Sequence, residues 1–184
     1  MSVHTQSDTE PRLHYQDEFR LAWEAVPAHQ PTPQQDTGHN LEVLRKLISL
    51  QRSIIEKQDS GPDVRADLQL LDNKLNMALD LLGDLYQTLH HLPPRIPVDL
   101  CSTSIEWLAP EPPNPDARLI LRLYLSDHYP RPLIFTMRVV AVDLQIKPCR
   151  IHARFEEMDA PIRDELERLI FLLHRHSVAK SRHP

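Results

Sequence analysis

The chain has 184 residues, 41% of them hydrophobic and 26% charged, which suits one globular domain with an appendage. Its three glycines, Gly38, Gly61 and Gly83, cannot write a G-x-G-x-x-G fingerprint or a P-loop, so nucleotide binding by those routes is excluded. A net charge of -5 and only 5% aromatics argue against a nucleic-acid partner, which would call for a basic surface or a stacking platform.

Residues 1–15 are polar and mixed and read as a flexible tail, with neither the basic nor the apolar region of a signal peptide. Phe19, Leu21 and Trp23 alternate with Arg20, Ala22 and Glu24, a period of two that predicts a half-buried strand within 16–26. Residues 27–39 hold three prolines and a glycine and read as a linker.

From 40 to 92 the pattern is helical. Asn40 is placed to cap a first helix, along which Leu41, Leu44 and Ile48 make one stripe and Val43, Leu47 and Leu50 a second. Gly61, Pro62 and Asp63 break that helix and start another over about 63–91, so the pair reads as a helical hairpin. In the second helix Leu68, Leu71, Leu75, Ala78, Leu82, Leu85, Leu89 and Leu92 recur at steps of 3 and 4, an unbroken heptad seam. Leu79, Leu81 and Tyr86 flank the seam with further apolar surface, which fits a bundle of more than two helices. A helix of this length spans roughly 43 Å, whereas a domain of about 100 residues is only roughly 33 Å across. The seam is therefore expected to bury against other copies of the chain, as a homo-oligomer and most simply a tetramer; the alternative is a hairpin lying on its own domain.

Residues 93–178 change character. Ile96–Leu100, Ile105–Leu108, Leu119–Leu125, Ile134–Ile146 and Cys149–Phe155 predict five short strands joined by polar turns, an antiparallel sheet able to curl into a barrel. Asp159 and Pro161 open a last helix, whose stripe of Ile162, Leu166, Leu169, Ile170 and Leu173 faces the sheet. Residues 179–184 are a basic tail; with Arg163, Arg168 and Arg175 it is either plain surface charge or a contact patch for a partner.

Catalytic and metal chemistry find little support. His90 and His91, like His174 and His176, are spaced so that their rings diverge on a helix. Cys101 and Cys149 lie 48 positions apart without a C-x-x-C partner and read as small buried residues of a protein kept reduced, in the cytoplasm. Ser102 and Ser104 lack a G-x-S-x-G elbow. No run of residues reaches the roughly 18 apolar positions of a membrane span. The chain is expected to be no enzyme.

Strands 95–158 and the helix after them resemble the PilZ domains of bacteria. The likeness lies in Val98-Asp99-Leu100-Cys101-Ser102-Thr103-Ser104-Ile105, similar to the family's Asp/Asn-x-Ser-x-x-Gly stretch; in Arg138-Val139-Val140-Ala141-Val142, similar to its long central strand; and in Ile151–Met158 with Arg163–Ile170, similar to its closing strand and helix. The resemblance implies an α+β fold: a six-stranded antiparallel barrel with a C-terminal helix, here carrying the long hairpin as an insertion, and the Phe19 strand as the sixth strand. It also implies cyclic di-GMP as the family ligand, held by an Arg-x-x-x-Arg segment and the Asp/Asn-x-Ser-x-x-Gly turn, where guanidinium forks grip phosphates and guanine edges.

Carried onto this sequence, the ligand positions are Gln16 and Arg20 for the arginine pair and Asp99, Cys101, Ser102 and Ser104 for the turn. Only Arg20 and Asp99 keep the family's residue types. Cys101 stands for the serine, Ser104 for the glycine, and Ser102 lies one place off. His91–Arg95 is a second candidate arginine segment, again with one arginine. A lost charge-assisted contact costs about 1.5–3 kcal/mol, so the site is expected to be degenerate, with no cofactor and no tight cyclic di-GMP binding. The resulting expectation is a regulatory interaction protein in cyclic-di-GMP-linked signalling, acting through an unidentified regulatory protein partner. The alternative is a direct cyclic di-GMP receptor with a reorganised site.

Overall fold

A computed structural model describes residues 13–27, 36–59 and 66–181, with the backbone alone at 53–59, 66–70, 72, 87, 90 and 179–181. The expected N-terminal tail up to residue 12, the linker at 28–35, the Gly61–Asp63 break, the side chain of Leu68 and residues 182–184 of the basic tail lie outside that description. The order of elements is β1 (Tyr15–Ala25), α1 (Thr37–Asp59), α2 (Ala66–His90), β2 (Arg95–Leu100), β3 (Ser104–Ala109), β4 (Arg118–Tyr124), β5 (Leu133–Asp143), β6 (Cys149–Phe155) and α3 (Ala160–Ser181).

The six strands close into an antiparallel barrel in the order β1-β2-β3-β6-β5-β4. The Phe19 strand is the sixth strand, as the resemblance implied. β1 closes the ring by pairing with β2 on one side (Gln16 opposite Asp99, Arg20 opposite Arg95) and with β4 on the other (Leu21 opposite Leu123). Without it, β2 and β4 would each present an open edge. Alternation sets the faces. Phe19, Leu21, Val98, Leu100, Ile105, Trp107, Leu121, Phe135, Met137 and Ile151 fill the interior, while Gln16, Glu18, Asp99, Glu106 and Arg150 stand on the outer wall.

α3 lays its stripe of Ile162, Leu166, Leu169 and Ile170 into the same core, and Asp159 caps it with its carbonyl accepting from the backbone of Ile162 and Arg163. α1 packs along α3 and against β5. Val43, Leu44, Leu47 and Ile48 are buried in one cluster with the barrel, so the first half of α1 completes the barrel core. Both expected stripes of α1 are buried over its first half, Leu44 and Ile48 of the first and Val43 and Leu47 of the second, whereas Leu50 is exposed.

The first helix starts earlier than its sequence suggests. Asp36 caps it, its carboxylate accepting from the His39 amide at 2.9 Å. Asn40, expected to cap, is instead fully buried inside the first turn. Its Nδ2 donates to the Ile134 carbonyl at 2.7 Å and its Oδ1 accepts from the Ile134 amide at 2.9 Å. The side-chain amide there plays the part of a neighbouring strand, satisfying a backbone pair on β5 that would otherwise be buried unpaired.

α2 differs from every other element. Leu71, Leu75, Leu82, Leu85 and Leu89 are 64%, 58%, 61%, 55% and 66% exposed, with Met77 and Leu81 exposed beside them. Ala78 is exposed too, and Leu92, just past the helix end, is half-buried. Leu79 and Tyr86, expected to widen the seam, are half-buried, and Tyr86 lies near Tyr124 of the barrel.

Candidate functional site

Of the family-type ligand positions the fold brings Gln16 and Asp99 together on the outer wall of β1 and β2, and the register of β1 explains how. Gln16 lies opposite Asp99, so the residue that replaces the first arginine meets the acidic residue of the turn directly. Gln16 Nε2 donates to Asp99 Oδ2 at 2.6 Å, and His14 Nδ1 approaches Asp99 Oδ1 at 2.9 Å. The Asp99 carboxylate holds the His14 imidazole above its ordinary pKa of 6.5, chiefly through that hydrogen bond, against a smaller opposing effect of burial.

Cys101, Ser102 and Ser104 form the tight β2–β3 turn, closed by the Cys101 amide donating to the Ser104 carbonyl at 3.0 Å. Cys101 is buried, and its Sγ lies 3.1 Å from Ser104 Oγ and 3.4 Å from Thr103 Oγ1. Burial works against ionisation of this thiol, but the Ser104 and Thr103 hydroxyls and amides outweigh it and hold the thiol below its ordinary value. The Thr103 carbonyl accepts from the Phe155 amide at 3.1 Å, tying the turn to β6. Ser102 is buried. The Cys101 thiol and the Thr103 and Ser104 hydroxyls are thus directed at one another, and the Thr103 carbonyl at β6.

Arg20 is placed elsewhere. It lies four positions along β1 from Gln16 and its partner Asp99, about 13 Å along the wall. Its Nε donates to Asp127 Oδ1 at 3.0 Å and its Nη1 to the Pro93 carbonyl at 3.2 Å. Arg95, its cross-strand neighbour, donates to the other oxygen, Asp127 Oδ2, at 2.5 Å and to the Glu18 carbonyl at 2.6 Å. The two arginine segments that the sequence offers as alternatives therefore converge, on one carboxylate. Asp127 itself, 107 positions from Arg20, carries no sequence signal.

Between these groups lies an open cleft of about 560 Å³, lined among others by Asp17, Glu18, Asp99, Glu106, Pro97, Leu108 and Arg150. Four carboxylates face one guanidinium. Asp17 also accepts from the Tyr15 hydroxyl at 2.9 Å, and burial together with that bond raises the Tyr15 pKa well above its ordinary value. Sequence reasoning missed Glu18, Glu106 and Arg150, although strand alternation places all three on the wall beside Asp99. Among the described residues, no three His, Cys, Asp or Glu side chains come together as a metal site, and no helix is long and apolar enough to cross a membrane.

Comparison with known proteins gives these features a family. No curated protein matches the chain. Among solved structures, the barrel and its helices are similar to those of a pathogenic protein from Xanthomonas campestris, described as a tetrameric PilZ domain self-assembled through an unusual helical bundle. The two are 20% identical, with a TM-score of 0.67 and 93% of each chain covered. Two further likenesses are more distant. One is the PilZ domain of Escherichia coli YcgR with c-di-GMP, at 18% identity, TM-score 0.41, and 49% of this chain and 79% of that chain covered. The other is the Bacillus subtilis inhibitor of motility (MotI/DgrA), at 14% identity, TM-score 0.36, and 46% and 43% covered. A family model described as an atypical PilZ domain, cyclic di-GMP receptor, matches residues 44–183. That span begins inside α1, at a leucine buried in the barrel core, and takes in α2, β2–β6 and α3: this chain belongs to the atypical PilZ domain family.

Proposed function

We propose that the chain is a non-enzymatic regulatory protein of cyclic-di-GMP-linked signalling that works by assembly. α2 joins copies of the chain into a helical bundle, most simply a tetramer, and the barrels displayed on it contact a regulatory protein partner. The observation that carries this reading is the leucine seam of α2, exposed from Leu71 to Leu89 in the single chain. A contiguous apolar stripe of that size marks an interaction face, and each leucine buried there contributes about 1.5–3 kcal/mol. The helical-bundle tetramer described for the Xanthomonas protein supports the same reading. The ligand surface supports the rest of it: an acidic cleft, a turn closed on itself, and two arginines already held by Asp127 leave little for a dianionic ligand to grip.

A second reading has its own support. The family is described as a cyclic di-GMP receptor, and the Arg20–Arg95 pair is a partly exposed cationic cluster. Two measurements decide. Light scattering should give four times the chain mass of 21.4 kDa, falling to one chain in Leu82→Asp/Leu85→Asp with the barrel still folded. A wild-type mass of one chain sinks the assembly reading. Calorimetric titration with cyclic di-GMP should be flat; a saturable heat, abolished by Arg20→Ala, establishes the receptor reading instead.

A further inference from the structure

The loop between β4 and β5 touches four elements through three consecutive residues, Asp127, His128 and Tyr129. The Asp127 carboxylate takes Arg20 of β1 and Arg95 of β2. The backbone carbonyl of the same Asp127 lies against α2 at Gly83, so closely that a Cβ there would stand 3.1 Å from it. His128 Nδ1 lies 2.7 Å from Asp80 Oδ1 on α2. The Tyr129 ring lies under Lys46 of α1, with Nζ 5.6 Å from the ring centre. The loop has no ladder hydrogen bonds of its own; a local turn, with the Tyr129 amide donating to Ser126 Oγ at 3.2 Å, shapes it.

We propose that this loop is a strut that fixes the direction in which α2 leaves the barrel, and that the Arg20–Asp127–Arg95 cluster holds the strut in place. The geometry gives each part a role. Asp80 and Gly83, three residues apart, share one face of the helix. Docking that face on the loop turns Leu75, Leu82, Leu85 and Leu89 outward. Gly83 permits the close approach, because any side chain would meet a backbone oxygen that cannot rotate away. Asp127 joins the two ends, its side chain anchored on the barrel wall and its carbonyl against the helix. Neutralising the carboxylate breaks both ion pairs and releases the loop, and with it the helix. The consequence for assembly, that the strut sets the angle between bundle and barrels, rests on the reading of α2 given above; the docking of α2 on its own barrel does not.

The test uses the full chain with nitroxide labels on Lys74→Cys in α2 and Arg163→Cys in α3, diluted with unlabelled chain so that only intrachain distances are read. The native cysteines are buried. In the wild-type background a single narrow distance distribution is expected. Asp127→Asn, nearly isosteric, and Gly83→Val, which leaves both ion pairs intact, should each broaden it, while Arg150→Ala, on the cleft but off the loop, should not. A narrow wild-type distribution in Asp127→Asn overturns the proposal. If that variant loses its thermal unfolding transition, Gly83→Val decides alone, and a narrow distribution there overturns it. Light scattering of the same samples separates the two ideas: a wild-type mass of one chain removes the assembly reading, while the distances still judge the strut.

Discussion

Asn40 is fully buried, and its amide pairs with both backbone groups of Ile134. Asn40→Ala leaves a buried donor and acceptor unpaired, at about 1–3 kcal/mol for each. The urea midpoint should fall with little change in slope; an unchanged midpoint shows that water or a shift of α1 replaces the pair. His14 offers a test of the Gln16–Asp99 side of the wall. Its pKa is raised in the folded state, so the contribution of the His14–Asp99 contact to stability is fully present below the unfolded value near 6.5 and is lost as pH rises through the folded value. A proton NMR titration should place His14 above 6.5 in the wild type and return it toward 6.5 in Asp99→Asn. Equal titration curves would show that the contact is not kept in solution. With the imidazole mostly exposed, the effect on global stability is small.

At the scale of elements, α1 and α2 are neighbours in sequence, both amphipathic and leucine-rich, yet they do different work. Leu44 is fully buried against the barrel, and Leu82 stands 61% exposed. Leu44→Ala should therefore destabilise the fold by about 2–5 kcal/mol, the range for a leucine cavity in a core, without changing the mass of whatever remains folded. Calorimetric melting and light scattering on one sample separate the two quantities. A Leu44→Ala protein that melts with the wild type places α1 outside the core. The heptad spacing exposes the seam of α2 to view in the sequence, but α1 carries apolar stripes at helical spacing as well. What separates the two helices is a surface to pack on: α1 has α3 and β5 beside it, while the face that α2 turns to its own barrel is the one bearing Asp80, Gly83 and Tyr86.

For the whole molecule, closure of the barrel depends on a strand far from the others in sequence. A fragment of residues 93–181 lacks β1, leaving β2 and β4 as open edges, and should aggregate. Restoring 13–27 alone through a short linker should not be enough, because the core would still lack Val43, Leu44, Leu47 and Ile48. Restoring 13–59 and omitting only α2 should give a soluble monomeric barrel, seen as one cooperative melt and a single-chain mass. A stable monomer from residues 93–181 would mean that neither β1 nor α1 is needed to complete the core.

The sequence by itself determined the elements whose information is local. Period-two alternation marked four of the strands, including the Phe19 strand, β-branched residues marked Ile134–Ile146, and steps of 3 and 4 marked the helices, because side-chain direction repeats with backbone geometry. Carried onto the family's ligand motif, it also puts cysteine, serine and glutamine where the resemblance implies serine, glycine and arginine, since those are identities and not positions. Only the tertiary structure decided the pairings. Gln16 meets Asp99 because β1 and β2 take one register out of several that alternation allows. Arg20 and Arg95, rival candidates in the sequence, share Asp127 because a loop folds over the wall between them. Asn40 trades a helix cap for a strand's hydrogen bonds because β5 passes within reach. Contacts of this kind join residues some 30 to 110 positions apart. They are set by closure of the barrel, which no local window of sequence contains.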